Sequence, residues 1–383
     1  MNKIKKIFFW SPHINNQIAT VKAVQNSVEG MKKFGSSKYK PVIINVFGEW
    51  NEYKKKLNKI DVEYIDLLKL NIKLPINGVF KSRFFYIVIS LLTFPKLFFI
   101  IKKHKPDFII GHLIVTPILV LSHFFNKNKI KFVLRISGLP HFNFFRKNFW
   151  KLFGTKLYCI TCPTKSTKKL LLDENIFEEN KVFVLEDPIF KISNIRVLKK
   201  NFCMDKKKND LIAVGRLTNQ KNFTFLIEGF SKVEKDFPSY NLKIIGSGEK
   251  EQELKELIKD LSLEKRVSII PFSENIYDFY LNSEILISTA LWEDPGFAIL
   301  EAAMFNLTIL SSNCLNGPKE FLENDRRGYG FISNDIDDFE KKLRHLLTNR
   351  NSKENYKKKI SAKKYCKKFS ILNHYLKLGN ILN

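Results

Sequence analysis

The sequence predicts two α/β domains, each built on a doubly wound parallel sheet. Three observations carry this. Short apolar runs alternate with longer amphipathic stretches along the whole chain, the alternation restarts after a polar interval near residue 200, and 383 residues suffice for two domain cores. Hydrophobic residues make up 44% and charged residues 27%, a globular composition that excludes a largely disordered chain.

In the first half, KIFFW (6–10), PVIINVF (41–47), DFIIGHL (107–113), KFVLRIS (131–137), LYCITCP (157–163) and KVFVLEDP (181–188) read as strands, being short apolar runs between polar stretches. The series resumes with LIAVGRL (211–217), NLKIIGSG (241–248), RVSIIPF (266–272), EILIST (284–289) and LTILSS (307–312). Between them, FKISNIRVLKKNFCMDKKKND (190–210) is polar and lysine-rich without a sustained period. This divides the chain into a first Rossmann-like domain (1–190), a linker (191–208), a second Rossmann-like domain (209–362) and a C-terminal helix (363–383) that returns to brace the first.

The segment FFYIVISLLTFPKLFFII (84–101) comes nearest to a membrane span, but Pro95 and Lys96 interrupt it. Two readings stay open: a buried crossover helix of the first domain, or a helix lying at an interface. Ser82 and Arg83 before it, and Lys102, Lys103 and Lys105 after it, suit anionic headgroups.

Sixty-five Lys+Arg against 38 Asp+Glu give +27. Residues 1–190 hold 32 and 13, a net of +19, and the remainder holds +8. Such an excess calls for an anionic partner: nucleic acid, acidic lipid or a phosphorylated substrate. Lys, Asn, Ile and Phe also share A/T-rich codons, an origin for the lysines that needs no partner. Nucleic acid is disfavoured, because no binding module appears and the Phe residues sit mostly in apolar runs. Five Cys without a preceding secretory signal is intracellular usage, and the expected location is cytoplasmic. Cys159 and Cys162 have the CxxC spacing, but on a strand they point to opposite faces and no second pair exists, so no metal site is expected.

Two strings carry chemistry. In GRLTNQKN (215–222) a strand ends at Gly215 and is followed by Arg216 and then Lys221 as a helix begins, a pair of cations suited to a diphosphate. In STALWEDPGFAILEAAMFN (288–306) a strand leads through Pro295 and Gly296 into a helix. The amides of Gly296, Phe297 and Ala298 there form a helix N-terminus fit for phosphate. Glu293 precedes that turn. Glu301, on the helix, is repelled by phosphate and suits sugar hydroxyls. GSGEKE only half-matches a dinucleotide fingerprint, since Glu251 stands where a third glycine belongs.

Together these strings resemble the retaining nucleotide-sugar glycosyltransferases of the GT-B fold, family 4 or group 1, whose second domain carries a GRL…KN element and an E-x7-E motif in this order. Glu293 and Glu301 fit that motif, and the text between, from IIGSGEKE to EILIST, fits as well. The resemblance is specific over about 205–335. It implies that Arg216 and Lys221 hold the donor diphosphate, a role metals fill in other enzymes, so no metal or other cofactor is needed. It further implies that Glu301 binds the donor ribose, that Glu293 faces the transferred sugar, that Gly246 and Gly248 let backbone approach the nucleotide, and that Ile270 and Pro271 contact the base.

The implied activity is retaining transfer of a hexose or N-acetylhexosamine from a UDP-sugar. The expected acceptor is a glycan carried on a lipid, in bacterial surface polysaccharide synthesis, with peripheral contact to an anionic membrane at the inner face of the cytoplasmic membrane. That would explain the +19, the aromatic and basic 78–105 segment and the absence of a signal together. An epimerase or phosphorylase of the same fold is the alternative. The family's glycine-rich first loop is missing: SPHINNQIATVK (11–22) has Asn15, Asn16, Ala19 and Thr20 in its place. His13, His112 and His141 each follow a strand and are candidates to touch substrate, with His141 in RISGLPHF the preferred catalytic one.

Overall fold

The structure, a computed structural model, describes residues 3–12, 18–68, 79–125, 129–138, 140, 142–201, 210–273 and 275–383. It divides into two compact units: Met1–Ile189 together with Phe369–Asn383, and Phe190–Lys368.

The first unit runs β1 (Lys5–Trp10), α1 (Ile18–Gly35), β2 (Tyr39–Asn45), α2 (Lys54–Asn58), β3 (Glu63–Asp66), α3 (Val79–His104), β4 (Phe108–Gly111), α4 (Thr116–Phe124), β5 (Lys131–Arg135), α5 (Phe144–Gly154), β6 (Cys159–Cys162), α6 (Lys165–Asp173) and β7 (Val182–Val184). Its sheet has the order β3-β2-β1-β4-β5-β6-β7, and every pairing is parallel. Both faces are buried, as a crossover-covered sheet requires. Phe8, Trp10, Ile109, Leu134 and Ile160 pack with α3, α4 and α6, whereas Ile7, Phe9, Ile43, Ile110 and Val133 pack with α1. Cys159 and Cys162 fall in these two separate cores. Neither is in a disulfide, and burial pushes the Cys159 thiol up to about 12.

On α3, Ile89, Thr93, Leu97 and Ile101 are buried at intervals of one turn, while Ile87, Leu91, Leu92 and Phe99 are exposed. The helix is therefore a crossover with one buried face. No described helix is long and apolar enough to cross a membrane.

The second unit runs α7 (Ile192–Asn201), β8 (Asp210–Val214), α8 (Phe223–Ser231), β9 (Asn241–Ile245), α9 (Glu251–Asp260), β10 (Val267–Ile270), α10 (Ile276–Leu281), β11 (Ile285–Ser288), α11 (Phe297–Met304), β12 (Thr308–Ser312), α12 (Gly317–Leu322), β13 (Tyr329–Phe331), α13 (Ile336–Thr348) and α14 (Lys353–Cys366). Its parallel sheet is ordered β10-β9-β8-β11-β12-β13. The linker expected at 191–208 is corrected over its first half, where α7 forms. Ile195 is buried, Lys199 Nζ donates to the Met304 carbonyl at 2.7 Å, and its ammonium lies 5.5 Å from the Phe305 ring centroid. Among its described side chains only Ile195 is buried, too weak a pattern to read as a period; residues 202–209 lie outside those described. The two strands absent from the sequence reading, β3 and β13, are edge strands of four and three residues, too short to show alternation.

The chain then rejoins the first unit through α15 (Ile371–Leu382), whose Leu378 and Leu382 enter the α1-side core. The return begins at Phe369 rather than 363, because α14 buries Ala362, Tyr365 and Cys366 in the second unit. A buried polar network fastens α15. His374 Nδ1 lies 2.7 Å from the Glu186 carbonyl, which only accepts, so the ring carries its proton there and Nε2 accepts the Ser27 hydroxyl at 3.0 Å. Lys377 pairs with Glu186 on the same helix face, and Arg135, itself buried, reaches Asp187 at 2.5 Å and the Leu185 carbonyl at 2.7 Å. His112, Arg135, Asp187 and His374 line a cavity of about 20 Å³, room for about one water. His112 Nδ1 has no partner among the described residues.

Burial, reinforced by the Arg135 charge, lowers His112 and His374 to about 3 each. Both rings are neutral in the folded state, while the unfolded chain takes up protons below about 6.5. Stability is therefore full above pH 6.5 and is lost as pH falls toward 3, by about 1.4 kcal/mol per pH unit for each histidine. Urea unfolding between pH 7 and pH 4.5 should show this slope, and His374→Gln should reduce it; an unchanged slope in the variant overturns the assignment.

Candidate active site

In the second sheet β9 and β10 lie on one side of β8, and β11, β12 and β13 on the other. Chain order reverses between β8 and β11, and in a doubly wound sheet a ligand crevice opens beyond the carboxyl ends of such a strand pair. Both chemistry-bearing strings leave the sheet there: GRLTNQKN follows β8 and TALWEDPG follows β11.

Hydrogen bonds stitch the two loops. The Thr289 hydroxyl sits 2.9 Å from the Lys221 carbonyl and 3.0 Å from that of Asn222. Leu291 N–H donates to the Gln220 carbonyl at 2.9 Å, and Gln220 Nε2 donates to the Trp292 carbonyl at 2.8 Å. Ser312 Oγ, from β12, holds the Ala290 carbonyl at 2.6 Å, and Gly317 N–H donates to Glu293 O at 3.1 Å. Asn222 turns the chain into α8 with φ 53°, left-handed backbone that asparagine tolerates. The outcome is an ion pair between the Lys221 ammonium and the Glu293 carboxylate, both side chains largely buried. Arg216, by contrast, is exposed, and its guanidinium makes no hydrogen bond or ion pair with a described residue.

The helix α11 begins beside this pair. Gly296 adopts φ 87°, and no side chain caps the helix, so the amides of Gly296, Phe297 and Ala298 end it as a bare positive pole. Glu301 lies one turn further and is buried; Tyr280 donates its hydroxyl to Glu301 Oε2 at 3.3 Å. Burial, with Glu301 beside it, holds the Tyr280 hydroxyl well above its usual range and so protonated. Burial likewise raises the nearby Cys314 thiol to about 11, which leaves it neutral.

Gly246 and Gly248 follow β9. A Cβ on Gly246 would lie 1.8 Å from the Gly215 carbonyl oxygen, and one on Gly248 would lie 2.4 Å from that of Leu217. Leu217 N–H donates to Ser247 O at 3.1 Å and Lys250 N–H to Leu217 O at 3.0 Å, so the β9 loop lies directly on the loop that bears Arg216. Ile270 ends the edge strand β10, its carbonyl accepting from Gly246 N–H at 2.9 Å, and Pro271 beyond it is exposed.

Arg216, Lys221, Glu293 and Gly296–Ala298 are thus brought together at the β8/β11 reversal, with Gly246 and Gly248 one strand away and Ile270 and Pro271 two. Among the histidines, His112 is corrected: it is buried within the first unit and not open to substrate. His13 and His141 lie outside the described residues, as do Asn15 and Asn16. No three His, Cys, Asp or Glu residues converge on a metal position among the described residues. The chain's Asp-x-Asp string, Asp335-Ile336-Asp337, serves as a cap, Asp335 Oδ1 accepting from Asp338 N–H at 2.9 Å at the start of α13. Thr289 went unnoticed in the sequence, where a threonine ending an apolar run signals nothing.

The backbone crowding yields a stability prediction. Gly246→Ala and Gly248→Ala should each cost about 2 kcal/mol or more and lower Tm by several degrees. Gly138→Ala, with no atom within 4 Å of the added Cβ, should leave Tm unchanged. Thermal unfolding of the three variants checks this.

Residues 195–363 match the family described as glycosyl transferases group 1. An uncharacterized glycosyltransferase of Methanocaldococcus jannaschii is 29% identical over 245 residues, 59% of this chain and 60% of that protein. The UDP-Gal:alpha-D-GlcNAc-diphosphoundecaprenol alpha-1,3-galactosyltransferase of Escherichia coli is 25% identical over 276 residues, 65% of this chain and 68% of that enzyme. The chain thus spans about three fifths of the length of the first of these relatives. Anabaena HepE, solved in complex with UDP, has the same fold at a TM-score of 0.74 over 99% of both chains and 14% identity. The chain therefore has the GT-B fold, and its residues 195–363 are similar to the group 1 glycosyl transferases.

Proposed function

We propose that the protein transfers a hexose or N-acetylhexosamine from a UDP-sugar to a lipid-linked glycan acceptor, with retention at the anomeric carbon and without a metal, in the assembly of a bacterial surface polysaccharide. The observation that carries this reading is the clustering of Arg216, Lys221 and the uncapped α11 N-terminus beside Glu293 at the β8/β11 reversal. Breaking the bond from sugar to diphosphate leaves positive charge on the anomeric carbon and negative charge on the departing phosphate. The Lys221–Glu293 pair is a fixed dipole of matching sense: the ammonium and the α11 amides face the phosphate, and the carboxylate faces the sugar. Exposed Arg216 closes on the diphosphate from solvent.

Strands lie about 4.8 Å apart, so the base subsite at Ile270 and Pro271 and the phosphate subsite at β8 and β11 span about 14 Å of sheet edge, room for a nucleoside diphosphate laid across it. Same-face attack, in which the departing phosphate helps deprotonate the acceptor hydroxyl, gives retention and makes no demand for an enzymatic nucleophile. The lipid-linked acceptor is supported by the activity of the E. coli relative, which acts on a diphosphoundecaprenol-linked sugar, and by the +19 carried by residues 1–190.

Arg216→Ala and Lys221→Ala should each lower kcat on the order of 10²–10³, as loss of a charge partner in the transition state does. Near-normal rates in both variants overturn the site assignment. A UDP-sugar at 100 times its Kd should stabilise the protein by about 2.7 kcal/mol in a thermal melt. Turnover should persist in EDTA, and NMR of the product should show the donor's anomeric configuration.

A further inference from the structure

Residues 79–154 contain thirteen Lys and Arg and a single acid, Asp107. That acid is engaged: Lys3 Nζ donates to its Oδ1 at 2.9 Å and Lys6 N–H to its Oδ2 at 2.8 Å. The same stretch builds α3, α4 and α5, which share one face of the first sheet, with α4 between the others: Phe124 at its end contacts Phe94 and Phe98 of α3, and His123 contacts Phe153 of α5. The outer side of this layer is apolar where solvent-facing helices are usually polar. Leu91 is 70% and Phe99 66% exposed on α3, Phe144 75% and Phe145 82% on α5, and Ile87, Leu92 and Phe124 are open beside them. Interspersed on α3 are exposed Lys96, Lys102 and Lys103.

We propose that this α3–α5 face docks on the surface of a bilayer rich in anionic phospholipid. An array of large exposed apolar side chains among cations, over a stretch with one neutralised acid, matches the two layers of a membrane interface. Ile87, Leu91, Leu92, Phe144 and Phe145 enter the acyl boundary, and Lys96, Lys102 and Lys103 meet the phosphates. A polynucleotide offers no apolar layer for the leucines. In a parallel α/β sheet, α3 and α5 both begin at the carboxyl edge, so the inserting residues lie toward the edge at which such sheets bind ligands. The inference deepens the lipid-linked acceptor reading by naming the surface that reaches the lipid, and it is tested without turnover.

The full chain is floated with vesicles of pure phosphatidylcholine and with vesicles of equal parts phosphatidylcholine and phosphatidylglycerol. Binding to the anionic vesicles alone is expected. Leu91→Ser/Leu92→Ser and Phe144→Ser/Phe145→Ser should each weaken it about tenfold or more, and Lys96→Glu/Lys102→Glu/Lys103→Glu should remove the dependence on phosphatidylglycerol, each lysine being worth about fivefold. Ile360→Ser, an exposed apolar residue of the second unit, should bind as wild type. Absence of flotation on anionic vesicles overturns the proposal, as does binding that none of the surface variants alters. So does a wild-type dimer in sedimentation that Leu91→Ser/Leu92→Ser makes monomeric, which would assign the face to a second copy. UDP-sugar stabilisation in the melt is unaffected by this surface, so a failed docking face and a failed donor site are separately visible.

Discussion

The Thr289 hydroxyl, shared between the carbonyls of Lys221 and Asn222, holds together the two loops of the candidate site in the second unit. It joins two loops that are some seventy residues apart in sequence and neighbours only because β11 crosses back to pair with β8. Without that bond and the paired contacts of Gln220, the Lys221 ammonium and the Glu293 carboxylate would be two long side chains on independent loops, and an exposed pair of that kind contributes little. Held between braced backbones and largely buried, they form an oriented ion pair rather than two free side chains. The close backbone approach at Gly246 extends the rigidity one strand further, so three adjacent loops form one platform.

Charge is distributed unequally between the units, and for different physical purposes. In the second unit Arg266, Arg344 and Arg350 are spent internally, each tied to an acid distant in the chain: Glu234, Asp236 and Glu284. These contacts tie α13 and the segments flanking other helices and strands of that unit to one another. In the first unit the α3–α5 layer has almost no acids with which its cations can pair, so its field is directed outward. Net charge alone, summed over the chain, conceals this division.

The first unit keeps its most expensive interactions on the opposite side of its sheet. A buried Arg135–Asp187 pair carries a desolvation cost that the attraction barely offsets unless the remaining donors are satisfied, and Leu185 O satisfies one of them. Together with His374 and the Lys377–Glu186 pair, this network gives α15 a single position on the sheet where hydrophobic burial of Leu378 and Leu382 alone would tolerate a slide along the helix axis. The C-terminal segment is thereby a structural part of the unit formed by residues 1–189.

By itself the sequence determined the two parallel sheets, because strands buried on both faces must be runs of Val, Ile, Leu and Phe and such runs are visible without coordinates. It also marked which loops carry the candidate site, since Arg216, Lys221, Glu293 and Gly296 all follow strand ends. Edge strands β3 and β13 and the helix α7 escaped it, for each buries too few residues to leave a period. Only the tertiary structure decided that Lys221 faces Glu293, that Gly246 yields to another backbone, that Glu301 is shared with Tyr280, and that His112 is a core residue beside a water-sized cavity. These are contacts between strands and loops distant in the chain, and pairwise proximity across a sheet is set by strand order, a property no local pattern of residues encodes.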